Sequence, residues 1–203
     1  MTGYALPRLC LRAGVVVLAL GLTSALAQQV KVSQMLKALT SPGPSAEISK
    51  LDCPYGWLIG GWHARVVDYR DGGSPIVSEG EWHFSWVLEG RAVQDVWIAP
   101  VRGQRSSIPP EFPNRYGTSI RSYDYQRRQW RVTWINPISG AYDVLWARRA
   151  GADIVHEGID NQGRRMRWVF TDIRADSARW YGERSADDGE TWKLEAEFFL
   201  KRR

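Results

Sequence analysis

Residues 128–149 read RQWRVTWINPISGAYDVLWARR, which is two runs of alternating side chains separated by a short segment. In the first run Trp130 and Trp134 occupy alternate positions with Val132. In the second run Trp146 alternates in the same way with Val144 and Tyr142. Side chains at alternate positions point to the same face of a β-strand. Asn-Pro and Gly between the runs are typical of turns. The stretch therefore predicts two antiparallel strands joined by a tight connection.

The same alternation continues through the chain, whose eleven tryptophans all follow residue 56. Short links make successive strands antiparallel neighbours, and a sheet of many strands with one aromatic face closes to bury that face. We therefore predict an all-β fold, an up-and-down antiparallel β-barrel of about ten strands. The predicted strands lie near 57–69, 76–88, 91–98, 116–125, 128–136, 141–149, 153–159, 164–172, 177–185 and 190–202.

The first 27 residues have the features of a signal peptide. Arg8 and Arg12 precede an apolar run at 15–22, and Ala25-Leu26-Ala27 is a small-x-small cleavage signature. The apolar run is shorter than the ~20 residues that span a bilayer, so we expect cleavage, no stable membrane span afterwards, and an exported protein, periplasmic or secreted. Residues 28–56 are predicted to form a short helical or irregular lead-in, and 57–203 the barrel.

Charge and cysteine content exclude several classes of partner. Removing Arg8 and Arg12 with the leader lowers the formal net charge from +5 to +3. A charge this small does not predict a strongly charged partner. The arginine pairs flank predicted turns instead of forming one basic stripe, so no nucleic-acid partner is expected. Cys53 is then the only thiol, so no intramolecular disulfide is predicted. The oligomeric state is left open.

Gly60-Gly61-Trp62 opens the first predicted strand, and Arg202 lies near the end of the last. A guanidinium stacked on the Trp62 indole would seal that end of the barrel. At these residues the chain resembles the calycins, the superfamily of lipocalins and fatty-acid-binding proteins. The resemblance implies that Gly60, Trp62 and Arg202 are structural closure residues.

The likeness is greater to a group of bacterial calycin-type proteins of unknown function. It covers roughly residues 55 to 203 and implies a fold without implying a substrate. The resembling stretches are WLIGGW at 57–62, LEGR at 88–91, VQDVW at 93–97, Tyr123-Asp124 with Trp130, and the last strand.

Ser185 to Trp192 reads SADDGETW, which matches the Asp box of sialidases and related propellers. A propeller repeats this motif in every blade, whereas the chain has one copy and no internal repeat. Asp and Gly also suit a tight hairpin for conformational reasons. We therefore interpret the motif as a structural turn.

Successive turns of an up-and-down barrel alternate between its two ends. We call the end with Trp62 and Arg202 the base, and the end with the long connection 99–115 the mouth. Pro109, Pro110 and Pro113 are expected to stiffen that connection into a partial lid. Either parity of the strand at 91–98 could face inward. The residues predicted to face inward near the mouth and bind a ligand are Trp82, Tyr116, Thr118, Trp134, Tyr142, His156 and Trp168, with Trp192 beside them.

His156 is the one histidine predicted to face inward. It is a candidate acid or base with Tyr142 or Tyr116, or an axial ligand to haem, although a lone inward histidine is commonly a hydrogen-bonded core residue. His63 and His83 are predicted to face outward, so no metal site is expected. We assign no catalytic residue and no cofactor.

The sequence is compatible with three functions. The leading hypothesis is a binding module that holds a small apolar or aromatic molecule in the barrel mouth. The alternatives are an enzyme of the isomerase or hydratase type that uses His156, and a filled barrel that acts as a structural or interaction module. The last would be marked by exposed aromatic side chains such as Trp97 and Tyr181 on the outer wall. A barrel of this size is only just wide enough for side chains or one small ligand.

Overall fold

The computed structural model describes residues 33–50, 53–107, 112–160 and 162–203. The described part contains a two-residue strand, β1 (Thr40–Ser41), followed by ten longer strands. These are β2 (Gly60–Asp68), β3 (Ile76–Val87), β4 (Ala92–Ala99), β5 (Arg115–Asp124), β6 (Gln129–Asn136), β7 (Ala141–Ala150), β8 (Asp153–Ile159), β9 (Arg165–Thr171), β10 (Ser177–Ser185) and β11 (Lys193–Arg202). The ten predicted strands are confirmed, each within a few residues of its predicted limits.

The ten long strands form a closed antiparallel barrel. Each of β3 to β11 pairs with the strand before it in the chain, and β11 pairs back with β2. The hairpin links therefore alternate between the base and the mouth, as predicted. β1 adds two residues to the base end of β3, where Thr40 lies opposite Val87.

The inward parity differs from the prediction in two strands. On β5 the inward residues are Gly117, Ser119 and Arg121, so Tyr116 and Thr118 face outward. On β7 Asp143 and Leu145 face inward, and Tyr142 is 62% exposed. The predicted inward orientation of Tyr116, Thr118 and Tyr142 is therefore wrong.

The physical reason is cross-strand register. Residues directly opposite each other in an antiparallel pair share a face. Trp134 of β6 faces inward, and its partners are Ser119 on β5 and Asp143 on β7. The opposite parity of both neighbours must then face solvent.

The base of the barrel is filled by residues 45–50 and 53–59, the described segment directly before β2. Ser45 donates its backbone N–H to the carbonyl of Gly90, which ties the segment to the β3–β4 turn. Ile48, Tyr55 and Leu58 are fully buried against inward side chains of the barrel. The lower half of the barrel therefore has a continuous packed core.

Arg202 joins the last strand to this segment. Its guanidinium lies 4.2 Å from the centroid of the Trp62 ring. It donates hydrogen bonds to the carbonyls of Trp57, Ile59 and Ala175 at 2.5, 2.9 and 3.0 Å. The Trp62 indole donates to the carbonyl of Leu58 at 2.7 Å. One guanidinium thus satisfies three main-chain carbonyls while covering a buried ring.

The SADDGETW segment forms the turn between β10 and β11. The Asp187 carboxylate accepts hydrogen bonds from the backbone N–H and the hydroxyl of Thr191, and from the hydroxyl of Ser185. These bonds hold the pKa of Asp187 at about 2, below its ordinary value. Trp192 packs outside the barrel under Arg167, whose guanidinium is 4.1 Å from the ring centroid. The predicted inward orientation of Trp192 is therefore also wrong.

The connection from β4 to β5 is tied to the outer wall. A 3-10 helix, Arg102–Ser107, follows β4, and Arg102 donates to both carboxylate oxygens of Glu81 at 2.8 and 2.9 Å. Arg105 donates to the carbonyl of Arg115 and to the Asn114 side chain. Pro109 and Pro110 lie outside the described residues, and the described part of this connection does not line the barrel interior.

Residues 33–39 form a short helix. The predicted signal peptide, residues 1–27, lies outside the described residues. Among the residues that the structure describes, no helix is both long and apolar enough to cross a bilayer.

Candidate functional site

The mouth half of the barrel contains a cavity of about 180 Å³ that is partly open to solvent. Its wall combines indole and phenyl rings with a smaller set of charged side chains. The lining residues are Trp82, Trp97, Arg115, Ser119, Arg121, Val132, Trp134, Asp143, His156, Met166, Trp168, Phe170, Trp180, Gly182, Arg184, Glu195, Ala196 and Phe198. The barrel is thus filled at its base and hollow towards its mouth.

Trp82 is at the centre of the aromatic wall. Its ring centroid lies 4.8 Å from that of Trp97, 5.6 Å from Phe170 and 6.0 Å from Phe198. Trp180 stacks on Phe198 at 4.2 Å with an interplanar angle of 14°. Rings that pack on one another in this way have little rotational freedom, so the apolar wall is preformed.

Inward-facing glycines make room for these indoles. A Cβ atom at Gly80 would lie 2.4 Å from the Trp97 ring, and one at Gly182 would lie 2.8 Å from the Trp180 ring. Any larger residue at these positions would push an indole out of place. The wall therefore depends on positions that have no side chain at all.

Two arginines of β5 reach into the barrel and are neutralised there. Arg121 donates to the Asp95 carboxylate at 2.5 Å, and both side chains are almost completely buried. Arg115, nearer the mouth, forms a bidentate pair with Asp68 at 2.5 and 3.1 Å. A buried charge requires such a partner, since an unpaired one is strongly destabilising. The sequence left open which alternate residues of β4 face inward. The pair with Arg121 shows that Asp95 does, together with Val93 and Trp97.

A β-bulge adds a further acidic group to the cavity wall. Gly182 lies opposite Ala196 and Glu183 opposite Leu194, so Glu195 has no partner in the register. A bulge of this kind redirects a side chain. Here it brings the Glu195 carboxylate within 2.8 Å of the Arg184 guanidinium. The predicted alternation of this strand is interrupted at that point.

Arg184 also donates a hydrogen bond to the Asp160 carboxylate, which accepts another from the guanidinium of Arg164. Burial acts to raise the pKa of Asp160, but hydrogen bonds from Arg164, Gln162 and Arg184 hold it well below its usual range. The rim on this side of the mouth is therefore a fixed network of charged groups.

Asp143 differs from the other carboxylates of the cavity. It lies directly opposite Trp134 across the β6–β7 pair, and its carboxylate accepts no hydrogen bond from the described residues. Burial raises its pKa, Arg184 opposes the rise, and Asp160 and Glu195 add to it. Asp143 is thus a partly desolvated acid in a cavity whose other acids are paired.

His156 has both ring nitrogens engaged. Its Nδ1 donates to the carbonyl of Trp168 at 3.0 Å, and its Nε2 accepts a hydrogen bond from the Tyr55 hydroxyl at 3.1 Å. Burial, helped by the charge of Arg121, lowers the pKa of His156 to about 3. The ring is therefore neutral at physiological pH. A haem iron could bind Nε2 only if the bond from Tyr55 were broken.

The predicted site residues fall into two groups. Four of them line the cavity: Trp82, Trp134, His156 and Trp168. Tyr116, Thr118 and Tyr142 lie on the outer face, so the considered pairings of His156 with either tyrosine are not formed. Trp97, one of the two aromatic residues considered for an outer patch, is 2% exposed and lines the cavity.

Five charged residues of the lining were not predicted from the sequence: Arg115, Arg121, Asp143, Arg184 and Glu195. No group of three or more acidic, histidine or cysteine side chains that could hold a metal ion is present among the described residues. His63 and His83 are on the outer wall, where they pair with Glu79 and Glu81 at 2.7 and 3.0 Å.

Fold and cavity together define a ten-stranded antiparallel β-barrel with a closed base and an aromatic cavity in its mouth. No protein-family model matches the chain, and no curated protein matches it with significance. Among solved structures, the chain is similar to the crystal structure of Rv2717c from M. tuberculosis, at 14% sequence identity and a TM-score of 0.46. The match covers 76% of this chain and 99% of that one.

Proposed function

We propose that the protein is a binding module that holds one small aromatic or apolar molecule in the mouth of a calycin-like barrel. The observation that carries the proposal is the preformed cavity of about 180 Å³ with indole walls. An apolar cavity of about 150 Å³ is sufficient to bind benzene. The volume therefore suits a ligand with a single ring.

The distribution of packing in the barrel supports this function. The base is closed by Tyr55, Leu58 and Trp62, all fully buried, which gives the fold a core that does not depend on the mouth. The mouth can then remain hollow without loss of the barrel. Aromatic walls with a few placed polar groups are typical of small-molecule sites.

The test is a titration of the purified protein with indole and benzyl alcohol, followed by calorimetry. We expect saturable binding of at least one of these compounds with a stoichiometry of one. Trp168→Ala should weaken that binding by about tenfold or more, because it removes a ring from the cavity wall.

Trp146→Ala is the matched control. Trp146 lies on the outer wall of β7, where Arg127 stacks on it with its guanidinium 4.7 Å from the ring centroid. The same substitution there should leave affinity unchanged. Absence of binding by both compounds, or equal losses in the two variants, would contradict the proposed function.

We further propose that the chain is exported and that its leader is removed after Ala27. The supporting observation is the order of basic, apolar and small residues within 1–27. Expression of the full chain, cell fractionation and N-terminal sequencing test this. Gln28 at the N-terminus of extracytoplasmic protein is expected, and an intact Met1 on cytoplasmic protein would overturn the proposal.

A further inference from the structure

We propose that Asp143 binds a cationic amine carried by the ligand, so that the cavity selects a single aromatic ring with a short amine-bearing arm. This inference rests on the proposed function and names the class of ligand. Asp143 lines the cavity beside the Trp134 indole.

Among the described carboxylates that line the cavity, Asp143 stands without an ion-pair partner. Glu195 has Arg184 at 2.8 Å. Behind the wall, Asp95 pairs with Arg121. Each of these acids is neutralised by the protein itself. Asp143 has no hydrogen-bond donor of its own among the residues that the structure describes.

Arg184 cannot serve Asp143 as a dedicated partner. Its guanidinium already donates to Glu195 through Nε and to Asp160 through an Nη atom. Together with Arg164, which also binds Asp160, this side of the rim has two guanidinium groups for three carboxylates. One negative charge is left uncompensated at the cavity wall.

The rest of the charged lining does not change that sum. The pairs Arg115–Asp68 and Arg121–Asp95 are each neutral. The guanidinium groups of Arg115, Arg121 and Arg184 are each already ion-paired with a carboxylate, so an anionic ligand would have to compete with that carboxylate. A cation would supply the missing partner of Asp143, and a partly desolvated carboxylate gains more from such a partner than an exposed one.

The surrounding rings favour the same charge. Indole faces attract cations through their quadrupole, most strongly where water is excluded. Trp134 lies next to Asp143, and Trp168 lines the same cavity. A ligand whose ring packs among the indoles and whose ammonium group reaches Asp143 would satisfy both features of the wall.

The experiment compares three probes that share one ring and differ in charge: benzylamine, benzyl alcohol and benzoate. Affinities are measured by calorimetry at neutral pH. We expect wild-type protein to bind benzylamine about tenfold more tightly than benzyl alcohol, and benzoate most weakly. Asp143→Asn should reduce benzylamine binding to the level of benzyl alcohol and leave benzyl alcohol unchanged.

Asp153→Asn is the control, since Asp153 starts β8 at the base end and does not line the cavity. It should preserve the preference for benzylamine. Benzyl alcohol that binds without any preference for benzylamine, or a preference that survives Asp143→Asn, would overturn this inference alone. If none of the three probes binds, the inference fails, and the proposed function fails with it only if indole does not bind either. If the Asn variant folds poorly, the wild-type protein still tests the inference, because benzylamine that binds no more tightly than benzyl alcohol would overturn it.

Discussion

The Tyr55 hydroxyl donates a hydrogen bond to Nε2 of His156 across 3.1 Å, and the two rings lie nearly parallel with centroids 6.0 Å apart. Tyr55 belongs to the segment before the barrel, and His156 to the middle of β8. The bond therefore joins the packed base to the floor of the cavity. The Trp168 carbonyl sets the tautomer, because it can only accept a hydrogen bond, so Nδ1 carries the proton and Nε2 accepts from Tyr55.

Protonation of His156 should destabilise the fold. Its pKa is about 3 in the folded state and near 6.5 in the unfolded state, so the unfolded chain takes up a proton first as the pH falls. The contribution of neutral His156 to the free energy of unfolding is fully present above about pH 6.5 and is lost as the pH falls from there towards 3. Between pH 7 and 5 we expect a loss of about 2 kcal/mol in the free energy of unfolding, measured by urea denaturation.

His156→Gln tests that assignment. Carboxylates titrate mainly below this window, so the variant should lose most of the pH dependence between pH 7 and 5, whatever its absolute stability. Equal slopes for the variant and wild-type protein would show that His156 is not the responsible group.

Arg202→Lys should destabilise the barrel by about 2 kcal/mol, because one ammonium group cannot reach three carbonyls and cover the Trp62 ring. Thermal unfolding measures the change. The control is Arg131→Lys, at an exposed position on β6, which should be close to neutral. Similar shifts for both variants would mean that the carbonyl contacts contribute little.

Gly117→Ala should disturb the cavity from its wall. A Cβ atom there would lie 2.3 Å from the carbonyl oxygen of Ile135 and 2.5 Å from the Trp134 ring. We expect about 2 kcal/mol of destabilisation, with a changed near-ultraviolet circular dichroism spectrum as the indole moves. Gly103→Ala, where a Cβ atom has nothing within 4 Å, is the control and should leave both measurements nearly unchanged.

Glu81→Gln should loosen the connection between β4 and β5. The Glu81 carboxylate holds the backbone N–H and the guanidinium of Arg102, and these bonds keep its pKa far below its usual value. Limited trypsin digestion with mass spectrometry should show faster cleavage after Arg102 and Arg105 in the variant. Glu157→Gln, which alters an exposed pair with Arg148, should not change the pattern. Equal cleavage rates would exclude Glu81 as the anchor.

The alternation of apolar residues was sufficient to predict the number, limits and order of the strands. It was misleading for facing, because β5 and β7 have aromatic side chains on their outer faces. The predicted strand limits were nevertheless sufficient to derive the correct inward residues of β5 and β7. If 136 pairs with 141, then Trp134 lies opposite Asp143, and if 125 pairs with 128, it lies opposite Ser119. Hairpin register therefore predicts which side chains face the barrel interior better than hydrophobicity does.

The charged part of the cavity was harder to predict. Arg121 interrupts an apolar face and is tolerated only because Asp95, on the neighbouring strand, faces the same interior. Glu195 reaches the wall through a bulge, which shifts the register by one residue. Both features depend on contacts between strands that no local pattern contains.

The closure of the base has a consequence for how the chain folds. Arg202 bonds to the carbonyl of Ile59 across 143 residues of sequence, and β11 supplies the last wall against β2. Contacts between such distant segments form late, since the entropy of closing the loop must be overcome before they contribute. The cavity therefore does not exist in a nascent chain until β11 has docked, and a ligand that binds it would act only after that final step.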